Sequence, residues 1–98
     1  MIRHIVLWNL KEKAEEGTRE QNAAVIKSRL EALVGQIDGL QTLTVARGIV
    51  EGGYDLCLYS EFTDLSALLF YRAHPLHREV QKFVHAVITD RVSCDTEI

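Results

Sequence analysis

The chain opens on a run, Ile2 to Leu10, that is apolar on both alternating sides: Ile2, His4, Val6 and Trp8 share one face, Ile5 and Leu7 the other. Such a strand calls for cover on both faces of its sheet. A polar stretch follows from Lys11 to Gly17. Thr18 then opens a helix, with Gln21 three residues on to complete a capping box. Ala23, Ile26, Leu30, Leu33 and Val34 repeat at helical spacing, and Gly35 is a natural stop. Leu40 to Val50 and Tyr54 to Phe62 read as strands, joined by a hairpin turn at Glu51-Gly-Gly53. In the later strand Leu56, Leu58 and Phe62 face one way, Cys57 and Tyr59 the other. Asp64 caps a short helix carrying Leu65, Leu68, Leu69 and Tyr71. Beyond a His-Pro break, His77, Val80, Val84 and Val87 fall on one helical face, and Val92 to Ile98 alternates as a last strand.

The resulting order is β-α-β-β-α-β with the second helix in two pieces, an α+β, ferredoxin-like arrangement around a four-stranded antiparallel sheet. Helices laid on such a sheet cover one face only. The other face is expected to carry Leu, Ile, Val or Tyr in every strand, and leaving it in water costs about 25 cal/mol per Å². A homodimer packed sheet to sheet follows as an expectation.

Composition narrows the partners. Of 98 residues, 47% are apolar and 26% charged, the balance of an ordinary globular domain without repeats or linkers, so residues 1–98 are read as one domain. A net charge of −3 argues against nucleic acid or an anionic membrane as partner. No apolar stretch approaches the roughly 20 residues that cross a bilayer, and the amino terminus reads as a strand and not a signal peptide, so a cytoplasmic protein is expected. Cys57 and Cys94 are expected as small buried hydrophobes with free thiols. Glu15, Glu16, Glu20, Lys27 and Arg29 read as a solvated helix face.

Candidate chemistry concentrates in Tyr71-Arg-Ala-His-Pro-Leu-His77. Pro75 suits the first helical position, and His74 before it is biased to an extended conformation that organises the turn. His77 falls in the first helical turn, where the dipole disfavours a charged imidazole, and it points inward with Val80 and Val84. His4 shares a strand face with Val6 and Trp8 and is expected to point inward too. If both reach one cavity, a neutral imidazole can remove a proton alpha to a carbonyl while Tyr71 polarises the oxygen, help worth about 10²–10⁴-fold. His77, His4 and Tyr71 are therefore the candidate catalytic residues. Each has a plainer reading, as core packing or a satisfied buried polar group. His85 is expected exposed, three residues after Lys82. A metal on His74 and His77 lacks a convincing third ligand, because Arg78 beside Glu79 points to a surface pair. Gly52-Gly53 is followed by no helix and is not a phosphate cradle. No cofactor is expected.

Several stretches resemble the family of stress-responsive dimeric α/β barrel (Dabb) proteins. They are Met-Ile-Arg-His-Ile-Val-Leu-Trp8, Gly52-Gly-Tyr-Asp-Leu56, Ser60-Glu-Phe-Thr-Asp-Leu65, Tyr71-x-x-His-Pro-x-His77 and the acidic last strand. The resemblance spans essentially the whole chain and implies a ferredoxin-like protomer whose sheet pairs with a second copy. Most members are small stress-associated or accessory proteins. A plant member is a cofactor-independent polyketide cyclase that closes its substrate by intramolecular aldol chemistry in a pocket between sheet and helices. The resemblance places its first-strand histidine at His4, its tyrosine before His-Pro at Tyr71, and the second histidine of its motif at His77. A further pocket tyrosine on the cyclase's first helix has no counterpart, since that segment carries no tyrosine here.

Two classes of function emerge: a cofactor-free enzyme acting on a small apolar or aromatic carbonyl compound, and a non-catalytic dimer that binds a small ligand or serves stress tolerance. A cofactor-free monooxygenase shares the dimer and the histidine chemistry. Cavity size separates the first two, because roughly 300 Å³ or more reaching His77 favours ligand chemistry.

Overall fold

In chain order the elements are β1 (Ile2–Leu10), β2 (Lys13–Ala14), β3 (Gly17–Thr18), α1 (Arg19–Glu31), β4 (Leu40–Arg47), β5 (Leu56–Phe62), α2 (Leu65–Ala73), α3 (Pro75–Val87) and β6 (Ile88–Glu97). They are seen in a computed structural model that describes residues Met1 to Ile98. The four long strands form one antiparallel sheet in the order β4-β5-β1-β6, the expected ferredoxin-like topology. Local chemistry sets the helix boundaries. Thr18 Oγ1 accepts from the Gln21 N–H at 3.2 Å while the Gln21 side chain accepts from the Thr18 N–H at 2.9 Å, completing the capping box. Asp64 accepts from the Ala67 N–H at 2.8 Å and starts α2.

One face of the sheet is buried. Ile2, His4, Val6, Trp8 and Leu10 of β1 join Leu56, Leu58, Ser60 and Phe62 of β5 and Leu43 and Val45 of β4 beneath the helices. Ile26 and Leu30 of α1, Leu68 and Tyr71 of α2, and Val80, Val84 and Val87 of α3 close this core from above. The inward stripe of His77, Val80, Val84 and Val87 runs along α3 as its spacing predicts, with His77 half-buried at the open end. On α2 only Leu68 and Tyr71 are buried, and Leu65 and Leu69 are exposed.

The far face has no cover in the protomer. Ile5, Leu7, Cys57 and Tyr59 are half-buried there, and Val92 and Cys94 are exposed. The expectation of two buried cysteines is thus corrected: both sit on this uncovered face, with Cys94 opposite Ile5 on edge strand β6 and Cys57 opposite Leu7. The expectation of a large apolar side chain from every strand is corrected as well. Alternation with buried Leu43 and Val45 turns Thr44 and Ala46 of β4 outward, so the patch is centred on β5, β1 and β6.

Other differences lie at chain turns. β4 ends at Arg47, β5 begins at Leu56, and the residues between form a wide loop closed by the Gly48 N–H on the Asp55 carbonyl at 2.8 Å. Gly48 is required there, because a Cβ would lie 1.9 Å from the Tyr54 carbonyl oxygen. The polar stretch after β1 contains a small hairpin, β2 on β3, turned by Glu15 and Glu16 at φ of 51° and 62°. Such left-handed turns ordinarily announce themselves with Asn or Gly, so two glutamates gave no signal. α3 runs directly into β6 at Ile88, earlier than the alternation from Val92 indicates.

Candidate functional site

The strand register builds the site. Along the β1–β6 pair, His4 lies opposite Asp95, Val6 opposite Ser93 and Trp8 opposite Arg91, all on the face that carries the helices. β1 supplies large buried side chains to this face, whereas β6 supplies exposed polar ones. The helices pack over β1, β4 and β5. Between them and β6 remains a groove of about 530 Å³, walled by Val6, Leu58, Leu69 and Val84 and reached by His4, Tyr71 and His77. The three sequence-predicted residues therefore line one space.

Tyr71 stands between the histidines. Its ring lies 4.1 Å from that of His77, tilted by 35°, and 6.4 Å from that of His4 in an edge-on arrangement. Phe62 backs it at 5.0 Å. Burial holds the Tyr71 phenol well above its usual range, with the Arg91 charge pulling it slightly back. The hydroxyl stays protonated at neutral pH, a donor that a ligand oxygen can use.

His4 is buried and bonded through Nδ1 to an Asp95 carboxylate oxygen. Ser60 donates to the His4 main-chain carbonyl at 3.0 Å from the neighbouring strand and fixes the backbone. A carboxylate only accepts, so Nδ1 carries a proton and the ring is oriented for Nε2. Asp95 was not a sequence-predicted site residue. Its role depends on the pairing of the chain's two ends, and alternation alone marks it only as a polar position on a strand.

His77 has its pKa drawn down to about 4, by burial first, with the charges of His4, Arg72 and Arg91 adding to the effect. Its Nδ1 lies 3.4 Å from the Arg72 carbonyl, which only accepts, so the tautomer with Nε2 unprotonated is favoured. The ring is then a neutral proton acceptor. Stability carries the same signature. In the unfolded chain this histidine titrates near 6.5, so between pH 6.5 and 4 the unfolded state binds more protons and stability falls as pH drops. With a discount for a half-buried ring, wild type should lose about 2 kcal/mol more than His77→Gln over that window. Urea titrations at the two pH values measure this, and equal losses would mean a solvated ring.

The other histidines fall into place. His74 is the N-cap of α3, its Nδ1 accepting from the Leu76 N–H at 3.1 Å, and its ring meets Phe70 edge-on at 5.4 Å. That commitment takes Nδ1 away from any ligand. His85 is exposed at the rim of the groove. Glu79 pairs with Lys82 at 3.3 Å and not with Arg78, which lines the groove instead. No three His, Cys, Asp or Glu side chains are gathered at metal-ligand spacing. No helix is long and apolar enough to cross a membrane.

Comparison with known proteins agrees with this architecture. The model of the Stress responsive A/B Barrel Domain matches residues 2–98. A dimeric ferredoxin-like protein of unknown function from Bacteroides fragilis is 26% identical over 99% of this chain and 95% of its own, with a TM-score of 0.78. A Dabb family protein from Mesorhizobium loti is 22% identical, over 99% and 95%, with a TM-score of 0.78. A hydroxynitrile lyase from Passiflora edulis shares the fold at 16% identity, over 99% of this chain and 92% of its own, with a TM-score of 0.82. Sequence comparison with curated proteins finds no match.

Proposed function

The chain belongs to the stress-responsive A/B barrel domain family, and on that premise we propose that it is a homodimeric, cofactor-independent enzyme that moves protons on a small carbonyl compound. One observation carries the reading: His77, Tyr71 and the His4–Asp95 pair converge on a groove of about 530 Å³, above the size expected for ligand chemistry. Nε2 of His77 takes a proton from the carbon beside the carbonyl, and the electron pair moves onto the carbonyl oxygen. Tyr71 donates a hydrogen bond to that developing enolate. His4, oriented by Asp95, supplies or accepts the second proton. The enolate is then reprotonated, or attacks a second carbonyl in the same molecule to close a ring.

Dimeric relatives of the same fold and the uncovered patch of Ile5, Leu7, Cys57 and Tyr59 support the homodimer. The cytoplasm is the compartment we assign, on the two free thiols. A second reading, a small-ligand-binding dimer without turnover, is favoured by the low basicity of His77 in the free protein.

Deuterium exchange at the carbon beside the carbonyl of aryl ketones, followed by proton NMR in deuterated buffer, tests the proposal. Wild type should accelerate exchange above the buffer rate. Binding of these ketones with exchange at the buffer rate would select the non-catalytic reading.

A further inference from the structure

The groove also holds charge that the proton chemistry does not use. Arg72 at the end of α2, Arg78 in α3 and Arg91 in β6 all line it. None of the three has a carboxylate partner, although Arg19, Lys27, Arg47 and Lys82 each have one. The single carboxylate lining the groove, Asp95, is taken by His4. A chain of net charge −3 therefore gathers three unpaired guanidinium groups at one opening. A second observation points the same way. The one enclosed polar side-chain atom without a partner is Trp8 Nε1, which can only donate. Trp8 lies opposite Arg91 in the sheet and lines the same groove.

Resting on the carbonyl-compound reading above, we infer that the ligand is an anion: an aromatic or apolar carbonyl compound bearing a carboxylate. Arg91 holds the carboxylate, flanked by Arg72 and Arg78, while Val6, Leu58, Leu69 and Val84 pack against the apolar body. Guanidinium groups present forked donors that match a planar carboxylate two bonds at a time. The apolar walls beside them favour a carboxylate on a carbon skeleton over a bare inorganic anion. The inference also accounts for how His77 works. A bound carboxylate offsets the Arg72 and Arg91 charges, which add to burial in holding the imidazole deprotonated, so the base strengthens when the ligand arrives.

The test compares three aryl ketones that differ in one group: 4-acetylbenzoate, 4-acetylbenzamide and 4-acetylphenyl phosphate. Their affinities are measured calorimetrically on wild type, Arg91→Gln and His77→Ala. The carboxylate should bind wild type at least about tenfold more tightly than the amide, as expected for a charge-assisted pair. That advantage should shrink as salt rises from about 50 to about 500 mM. Arg91→Gln should bring the acid down to the amide's affinity. Equal binding of acid and amide to wild type, or an advantage that survives Arg91→Gln, overturns the inference. Tighter binding of the phosphate than the acid overturns the carboxylate assignment. Equal acid and amide binding that His77→Ala weakens leaves the carbonyl-compound reading standing alone. If none of the three binds, both readings fall.

Discussion

Leu7→Asp should convert the protein from a dimer to an 11.1 kDa monomer at micromolar concentration, with its secondary structure unchanged. Leu7 lies on the sheet face that no helix covers, opposite Cys57 on β5 and Val92 on β6. Its side chain is absent from the protomer core, so a carboxylate there stays solvated in the free subunit. In a two-fold dimer packed face to face the substitution occurs twice on one self-complementary surface. Two unpaired carboxylates are then removed from water near its centre, and each costs several kcal/mol. Association should weaken by about 10³-fold or more. Sedimentation velocity reads the outcome directly. Thr44→Asp is the control: β4 turns the small side chains of Thr42, Thr44 and Ala46 outward, so a charge there should be tolerated better. A wild type that sediments as a monomer, or a Leu7→Asp dimer as tight as wild type, would remove the sheet-to-sheet model.

This face shows how far the sequence could be taken. Two-sided apolarity in Ile2 to Leu10 is a local property of β1, and it correctly indicated a sheet with a second surface to cover. Which residues share that surface depends on strand pairing. Cys94 looked like a core residue by alternation, yet β6 is an edge strand and turns it outward beside Ile5. The groove divides in the same way. His77 was legible because Val80, Val84 and Val87 mark the inward face of its own helix. The extended backbone of His74 was legible because Pro75 disfavours the helical conformation in the residue before it, whereas its role as the cap of α3 was not. Asp95 and Arg91 were not, since their meaning comes from facing His4 and Trp8 across a pairing of the two chain ends. The β2–β3 hairpin was hidden for a different reason: Glu15 and Glu16 adopt left-handed backbone angles without the residue types that usually report them.

His77→Ala should lower ketone exchange by about 10²–10⁴-fold, the usual worth of a positioned general base, while leaving the fold intact. The ring is half-buried at the open end of the α3 stripe, so its removal widens the groove without opening the core beneath Val80 and Val84. Asp95→Asn makes a sharper test, because Asp95 is placed to act only through His4. An asparagine preserves shape but removes the carboxylate that accepts from Nδ1 and orients the His4 ring. Exchange should fall about tenfold or more, and the His4 Nδ1 proton signal in NMR spectra should move upfield as its carboxylate partner is lost. Combined with His4→Ala, Asp95→Asn should add nothing further, since residues that act as one unit are not additive. Losses that multiply would give Asp95 a contact of its own with the ligand. Tyr71→Phe completes the set: it keeps the ring between the two imidazoles and removes only the hydroxyl, so a loss confined to turnover assigns that hydroxyl to the developing oxygen charge. A Tyr71→Phe protein as active as wild type, beside an inactive His77→Ala, would leave the base in place and require a different donor at the carbonyl.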